Sequence, residues 1–188
     1  MLAKEGGRVM DRQFDRQKLR DQSGFTLIEM LVVVIILGIL AMIIVPQITG
    51  TTDDARLNTL ETNLGALRSA VEVYAAQHGN TYPGAVKTDG TGTATAAGDL
   101  PTAFIDQLTL YSDATGKTSK DLNRSLYPYG PYLKTGMPTN PYNDLATVTC
   151  DITTLDITSK DSTGASTGWK FYVKTGVIMA ADGNHDSL

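Results

Sequence analysis

Residues 25–45, FTLIEMLVVVIILGILAMIIV, carry only two polar side chains, Thr26 and Glu29. At 1.5 Å of rise per residue this run makes about 31 Å of helix, which matches a bilayer hydrocarbon core of about 30 Å. A soluble domain would need a thick shell around such a helix. The chain has only 188 residues, too few to supply that shell as well as a core of its own. The run therefore predicts a helix whose whole circumference is covered by lipid or by other helices.

The flanks set its direction. Residues 1–24 hold six cations (Lys4, Arg8, Arg12, Arg16, Lys18 and Arg20) against four anions (Glu5, Asp11, Asp15 and Asp21). Such a cationic flank favours the cytoplasmic side and places the C-terminal part outside the cytoplasm. A secretory signal would end its apolar region at a small-residue cleavage site. This run ends instead at Pro46-Gln47-Ile48. Met10 offers an alternative start codon with the same logic. A glutamate inside the run is costly, about 2.5–3.5 kcal/mol at mid-bilayer, so Glu29 marks function and calls for a partner or for snorkelling to the headgroups.

Pro46 removes a backbone hydrogen bond and clashes with the carbonyl of Met42, costing about 3 kcal/mol in a rigid helix. Gly38 and Gly50 weaken the same stretch, so a kink or local melting is expected between Gly38 and Gly50. Beyond it, Leu57, Leu60, Leu64, Leu67, Val71 and Tyr74 recur at alternating spacings of three and four, a single apolar stripe on an amphipathic helix. Thr52 is the expected N-cap of that helix and Gly79 its C-cap, with Pro83 forbidding continuation.

Beyond Pro83 the chain turns polar. Residues 84–99 read as a mobile surface loop, and Asp99 as the cap of a short helix with Phe104, Ile105 and Leu108 on its apolar faces. The stretch LYPYGPYLKTGMPTNPYND is extended and irregular because of its prolines. Trp169, Phe171 and Val173 alternate with Lys170, Tyr172 and Lys174, and Thr175-Gly176 leads into Val177, which reads as a β-hairpin. Val148, Cys150 and Ile152 suggest a further strand. The economical architecture is α+β: a long N-terminal helix, apolar in its first half and amphipathic in its second, packed against a small antiparallel sheet.

Composition excludes several classes. The formal net charge of −4 offers no basic surface for nucleic acid. One cysteine, Cys150, and two histidines, His78 and His185, give no disulfide framework, zinc cluster or nucleophile–base pair. No catalytic residue is implied.

The junction Ser23-Gly24-Phe25-Thr26-Leu27-Ile28-Glu29, with charge before it and the apolar run behind it, resembles the processing signal of type IV prepilins and type II secretion pseudopilins. The segment GPYL at 130–133, with Pro138 and Pro141 after it, resembles a loop of the major pseudopilins. The resemblance implies a pilin-like fold, cleavage by a prepilin peptidase between Gly24 and Phe25, and N-methylation of Phe25. Residues 1–24 would be the leader, 25–45 the transmembrane and filament-core half of the helix, 46–79 its amphipathic half, and 80–188 the extracytoplasmic region. Glu29 would pair with the Phe25 amine of a neighbouring subunit, and the stretch around Pro46 would melt on assembly.

The partners implied are identical or related subunits, the peptidase, an inner-membrane assembly platform and, before assembly, membrane lipid. The lack of a disulfide favours a secretion pseudopilin over a Gram-negative major pilin. An adhesive or DNA-uptake pilin, and a single-pass anchored binding module, remain the alternatives. Asp182, Asn184 and Asp186 space oxygen ligands at alternate positions and are candidate calcium ligands, though calcium wants six to eight oxygens. The resemblance implies a C-terminal calcium loop, of a longer pattern than this one. No other cofactor is expected.

Overall fold

The computed structural model describes residues 24–96, 98–158, 161–162 and 166–188, with the backbone alone at 43–51. Of the expected leader, only Gly24 falls within the described residues. The chain divides into two compact units, Met1–Thr49 and Gly50–Leu188. Helix α1 is assigned from Leu27 to Gln77 and contributes to both.

In the first unit every described side chain of α1 is exposed. The helical assignment runs on through Gly38, Pro46 and Gly50, so Thr52 lies inside a helix and does not open one. The kink was expected between Gly38 and Gly50, and from 43 to 51 of that region only the backbone is described.

The second unit has a core of its own. Along α1 the stripe is buried at Leu60, Leu64, Leu67, Val71 and Tyr74, while Leu57 at its start is half-buried. The helix ends as its sequence requires. Gly79 adopts φ +62°, and the Asn80 N–H reaches back to the Ala75 carbonyl at 2.8 Å, closing a Schellman turn.

Helix α2, Asp99–Thr109, lays Leu100, Phe104 and Leu108 against this stripe. Its N-cap is Gly98, without a side-chain hydrogen bond. Asp99 stands instead in the first turn, where its charge suits the positive end of the helix. Residues 84–94 fold as a small hairpin rather than a free loop. Val86 bridges Thr93, the Ala94 N–H meets the Ala85 carbonyl at 3.0 Å, and Ala94 is fully buried.

The anchor of that hairpin is Gln107, buried on α2. Its Oε1 accepts from Gly84 N–H at 2.8 Å, and its Nε2 donates to the carbonyls of Val86 at 3.0 Å and Gly116 at 2.9 Å. A fully buried amide with all these bonds made fixes two loops to one helix.

Strands β1 (Tyr111–Ser112) and β2 (Thr118–Ser119) form a two-stranded antiparallel ribbon. Strands β3 (Val148–Asp151), β4 (Trp169–Tyr172) and β5 (Val177–Ala180) form a sheet in the order β3-β4-β5. The hairpin β4–β5 is antiparallel as expected, with Phe171 opposite Ile178. Its turn contains Gly176 at φ +73°, where any side chain would collide with the Tyr82 ring.

Strand β3 runs parallel to β4, which corrects the all-antiparallel sheet. Period-two alternation reports which face a residue takes, not the direction of its strand. Tyr172 also departs from simple alternation. It is buried, because the 161–162 stretch covers that face and Asp161 meets the phenol through its N–H and its carbonyl, both at 3.3 Å.

Trp169 and Phe171 point into the core, where the Phe171 ring lies 4.5 Å from Phe104. Across the end of α2, the N–H groups of Tyr132 and Leu133 both donate to the Leu108 carbonyl at 2.9 Å. The GPYL segment thus satisfies an orphan carbonyl at a helix C-terminus. Its Gly130–Pro131 peptide is cis.

Candidate processing and assembly site

The site is built at the start of α1. Gly24, Phe25 and Thr26 are non-helical, and the helix begins at Leu27. Thr26 is the N-cap by its bonds. Its carbonyl accepts the first helical bond, from Met30 N–H at 3.3 Å, and its hydroxyl accepts from Glu29 N–H at 3.2 Å.

Glu29 returns the contact. Its Oε2 accepts from Thr26 N–H at 2.8 Å and from the Thr26 hydroxyl at 2.9 Å. Thr26-Leu27-Ile28-Glu29 is therefore a capping box, with two orphan donors at the helix start satisfied reciprocally. The T-x-x-E signature stands in the sequence, but the cost of Glu29 in an apolar run points first to a partner outside the chain. Among the described residues Glu29 Oε1 has no partner.

Around this cap the surface is apolar on every side. Phe25 is 80% exposed and Leu27 85%, and from Met30 to Leu40 all the large side chains stand half open. A helix uniformly apolar around its circumference belongs in lipid or within a bundle. Among the described residues no helix is long and apolar enough to cross a membrane. The apolar run of the sequence continues at 43–45, whose side chains lie outside the described residues.

The C-terminal candidates lie elsewhere, after β5. Asp182 Oδ1 accepts from the N–H groups of Asn184 at 2.9 Å and His185 at 3.1 Å, and from His185 Nδ1 at 3.0 Å. Its Oδ2 accepts from Asn140 Nδ2 at 3.1 Å. Both carboxylate oxygens of Asp186 are bonded by Ser162, through its hydroxyl and its N–H. Among the described residues no three His, Cys, Asp or Glu side chains gather as a metal site. Each carboxylate oxygen meets a hydrogen-bond donor, so this donor set does not fit a calcium shell.

Several buried polar side chains carry no signal in the sequence pattern, and two of them are carried by or follow directly on a helix. One is Gln107. The other is His78, stacked on Tyr74 at 3.8 Å, with Nδ1 donating to the Tyr74 carbonyl at 2.8 Å and Nε2 facing the Ser112 hydroxyl at 3.2 Å. Both close loops onto helices.

Residues 19–45 match the family model described as the prokaryotic N-terminal methylation motif. The type II secretion system core protein G of Pseudomonas aeruginosa is 47% identical over 55 residues, 29% of this chain and 39% of that protein. The protein of the same name from Vibrio cholerae is 42% identical over 67 residues, 36% of this chain and 45% of the relative. That of Aeromonas hydrophila is 42% identical over 64 residues, 34% and 44%. The matched stretch thus spans less than half the length of these relatives. No solved structure matches the chain. The chain carries the prokaryotic N-terminal methylation motif, and over about a third of its length it is similar to the core protein G of type II secretion systems.

Proposed function

We propose that the chain is a structural subunit of a type II secretion pseudopilus or a related type IV pilus-like filament. One observation carries this reading. Directly behind Gly24 and Phe25 stands a capped helix that exposes apolar side chains all round. Such a surface needs cover along its length, which a bundle of identical helices supplies.

In this reading a prepilin peptidase cuts between Gly24 and Phe25 and methylates the new N-terminus. The helix then waits as a single pass in a bacterial inner membrane, with residues 80–188 outside the cytoplasm. An assembly platform in that membrane moves it from lipid into the filament. Glu29 would use its remaining oxygen for the Phe25 amine of a neighbour, which sets register while Thr26 holds the carboxylate in place. The stretch between Gly38 and Gly50 would loosen as the helices pack. The chain has no catalytic role here, and nucleic acid is not among its partners.

The test is genetic. Deleting the gene should abolish export of the secreted proteins, and a chain carrying Glu29→Leu should fail to restore it. Intact secretion together with lost surface pili would favour a pilus over a secretion pseudopilus. Loss of neither would contradict the filament reading.

A further inference from the structure

The alternate spacing of Asp182, Asn184 and Asp186 is a motif that the filament reading leaves unused. A calcium site directs six to eight oxygen lone pairs at one point. The carboxylates of this tail direct theirs at protein donors on separate segments. Asp182 Oδ2 takes Asn140 Nδ2, and Asp186 takes both donors of Ser162. Asp182 Oδ1 takes the tail's own N–H groups. A cation among these oxygens would face the positive ends of N–H dipoles.

The donors are themselves committed. Asn140 is fully buried, and its Nδ2 also donates to the Gly168 carbonyl at 3.0 Å, while its Oδ1 accepts from Tyr142 N–H at 2.9 Å. Ser162 is buried at 2% exposure, and its hydroxyl also accepts from Gly183 N–H at 3.1 Å. The His185 ring lies on Tyr142 with centroids 4.0 Å apart. Beside them the Trp169 Nε1–H donates to the Pro138 carbonyl at 2.8 Å.

We infer that residues 182–186 form a metal-independent clasp. Asp182 and Asp186 tie the 138–142 segment and Ser162 to the end of β5 through hydrogen bonds, in the place where a bound cation would otherwise cross-link these loops. The Gly50–Leu188 unit then folds to the same stability whether or not calcium is present. This inference goes beyond the filament reading and does not depend on it.

The test is thermal unfolding of the full chain in detergent, followed by the near-UV circular dichroism of its single tryptophan, Trp169. The expected midpoint is the same in millimolar calcium and in excess chelator. Ser162→Ala, which removes the hydroxyl bond to Asp186 Oδ1 and keeps only the backbone N–H on Oδ2, should lower the midpoint by about 3–6 °C in both media. A midpoint that rises with calcium or falls with chelator would overturn the inference, as would a Ser162→Ala chain as stable as the parent. Should that variant fail to fold, calorimetric titration of the unaltered chain with calcium alone decides. Absence of binding heat supports the clasp, and saturable binding overturns it.

Discussion

Asp151 closes β3 with four donors around its carboxylate: the N–H groups of Thr153 at 2.6 Å and Thr154 at 3.0 Å, and their hydroxyls at 2.8 and 2.9 Å. Partial burial pushes this carboxyl up, but the four bonds outweigh it and bring it down to about 2. A depressed carboxyl contributes stability that is fully present above its unfolded value of about 3.9. That contribution is lost as the pH falls through about 2. A carbon-detected NMR titration should find the Asp151 midpoint well below those of ordinary exposed carboxyls, and in Thr154→Val it should move up. Burial alone acts on Cys150, raising its thiol to about 12. Alkylation of the folded chain at mildly alkaline pH should therefore be far slower than after denaturation. Glu29 shows what a sequence does and does not disclose at this scale. Its cost inside an apolar run was legible, and so was its need for a partner. The partner seen within the chain is Thr26, three residues earlier. Hydrogen bonding between near neighbours competes for the same carboxylate that a filament contact would use, and periodicity does not register that competition.

Periodicity predicts elements well where one face alone is buried. The stripe from Leu60 to Tyr74 was readable because a helix packed on one side must repeat every 3.6 residues. Leu64→Ala should cost about 2–4 kcal/mol in unfolding free energy, as a cavity at the centre of this stripe. The β4–β5 hairpin was readable from alternation and its turn glycine. The direction of β3 was not, although its connection to β4 over residues 152–168 is too long for a tight hairpin and suits a parallel return. The hairpin at 84–94 escaped because it has few large apolar side chains. Its order comes from Gln107, distant in sequence. Gln107→Leu should cost about 2–3 kcal/mol by stranding the Gly84 N–H and the Val86 and Gly116 carbonyls. Faster amide exchange at Ala94 and Lys87, with the α1 stripe still protected, is the expected signature.

At the scale of the whole chain, two units meet two different needs. Gly50–Leu188 buries its own core, and among its described residues every buried side-chain nitrogen and oxygen has a hydrogen-bond partner. A chain beginning at Gly50 should fold without detergent, and near-UV circular dichroism of Trp169 is the check. Met1–Thr49 presents an apolar helix whose described side chains are all exposed, and a helix apolar around its whole circumference belongs in lipid or among other helices. The proposal of a filament partner rests on the Gly24-Phe25 junction, because hydrophobicity alone does not distinguish lipid from a helix bundle. That junction is also where a filament subunit is most directly recognised. The measurement is intact and N-terminal peptide mass spectrometry of the chain produced together with a prepilin peptidase. The expected product is a mature protein that begins at Phe25 and carries one methyl group on its α-amine. A protein retaining residues 1–24, or one cut beyond the apolar run, would contradict the assignment of this chain as a processed filament subunit.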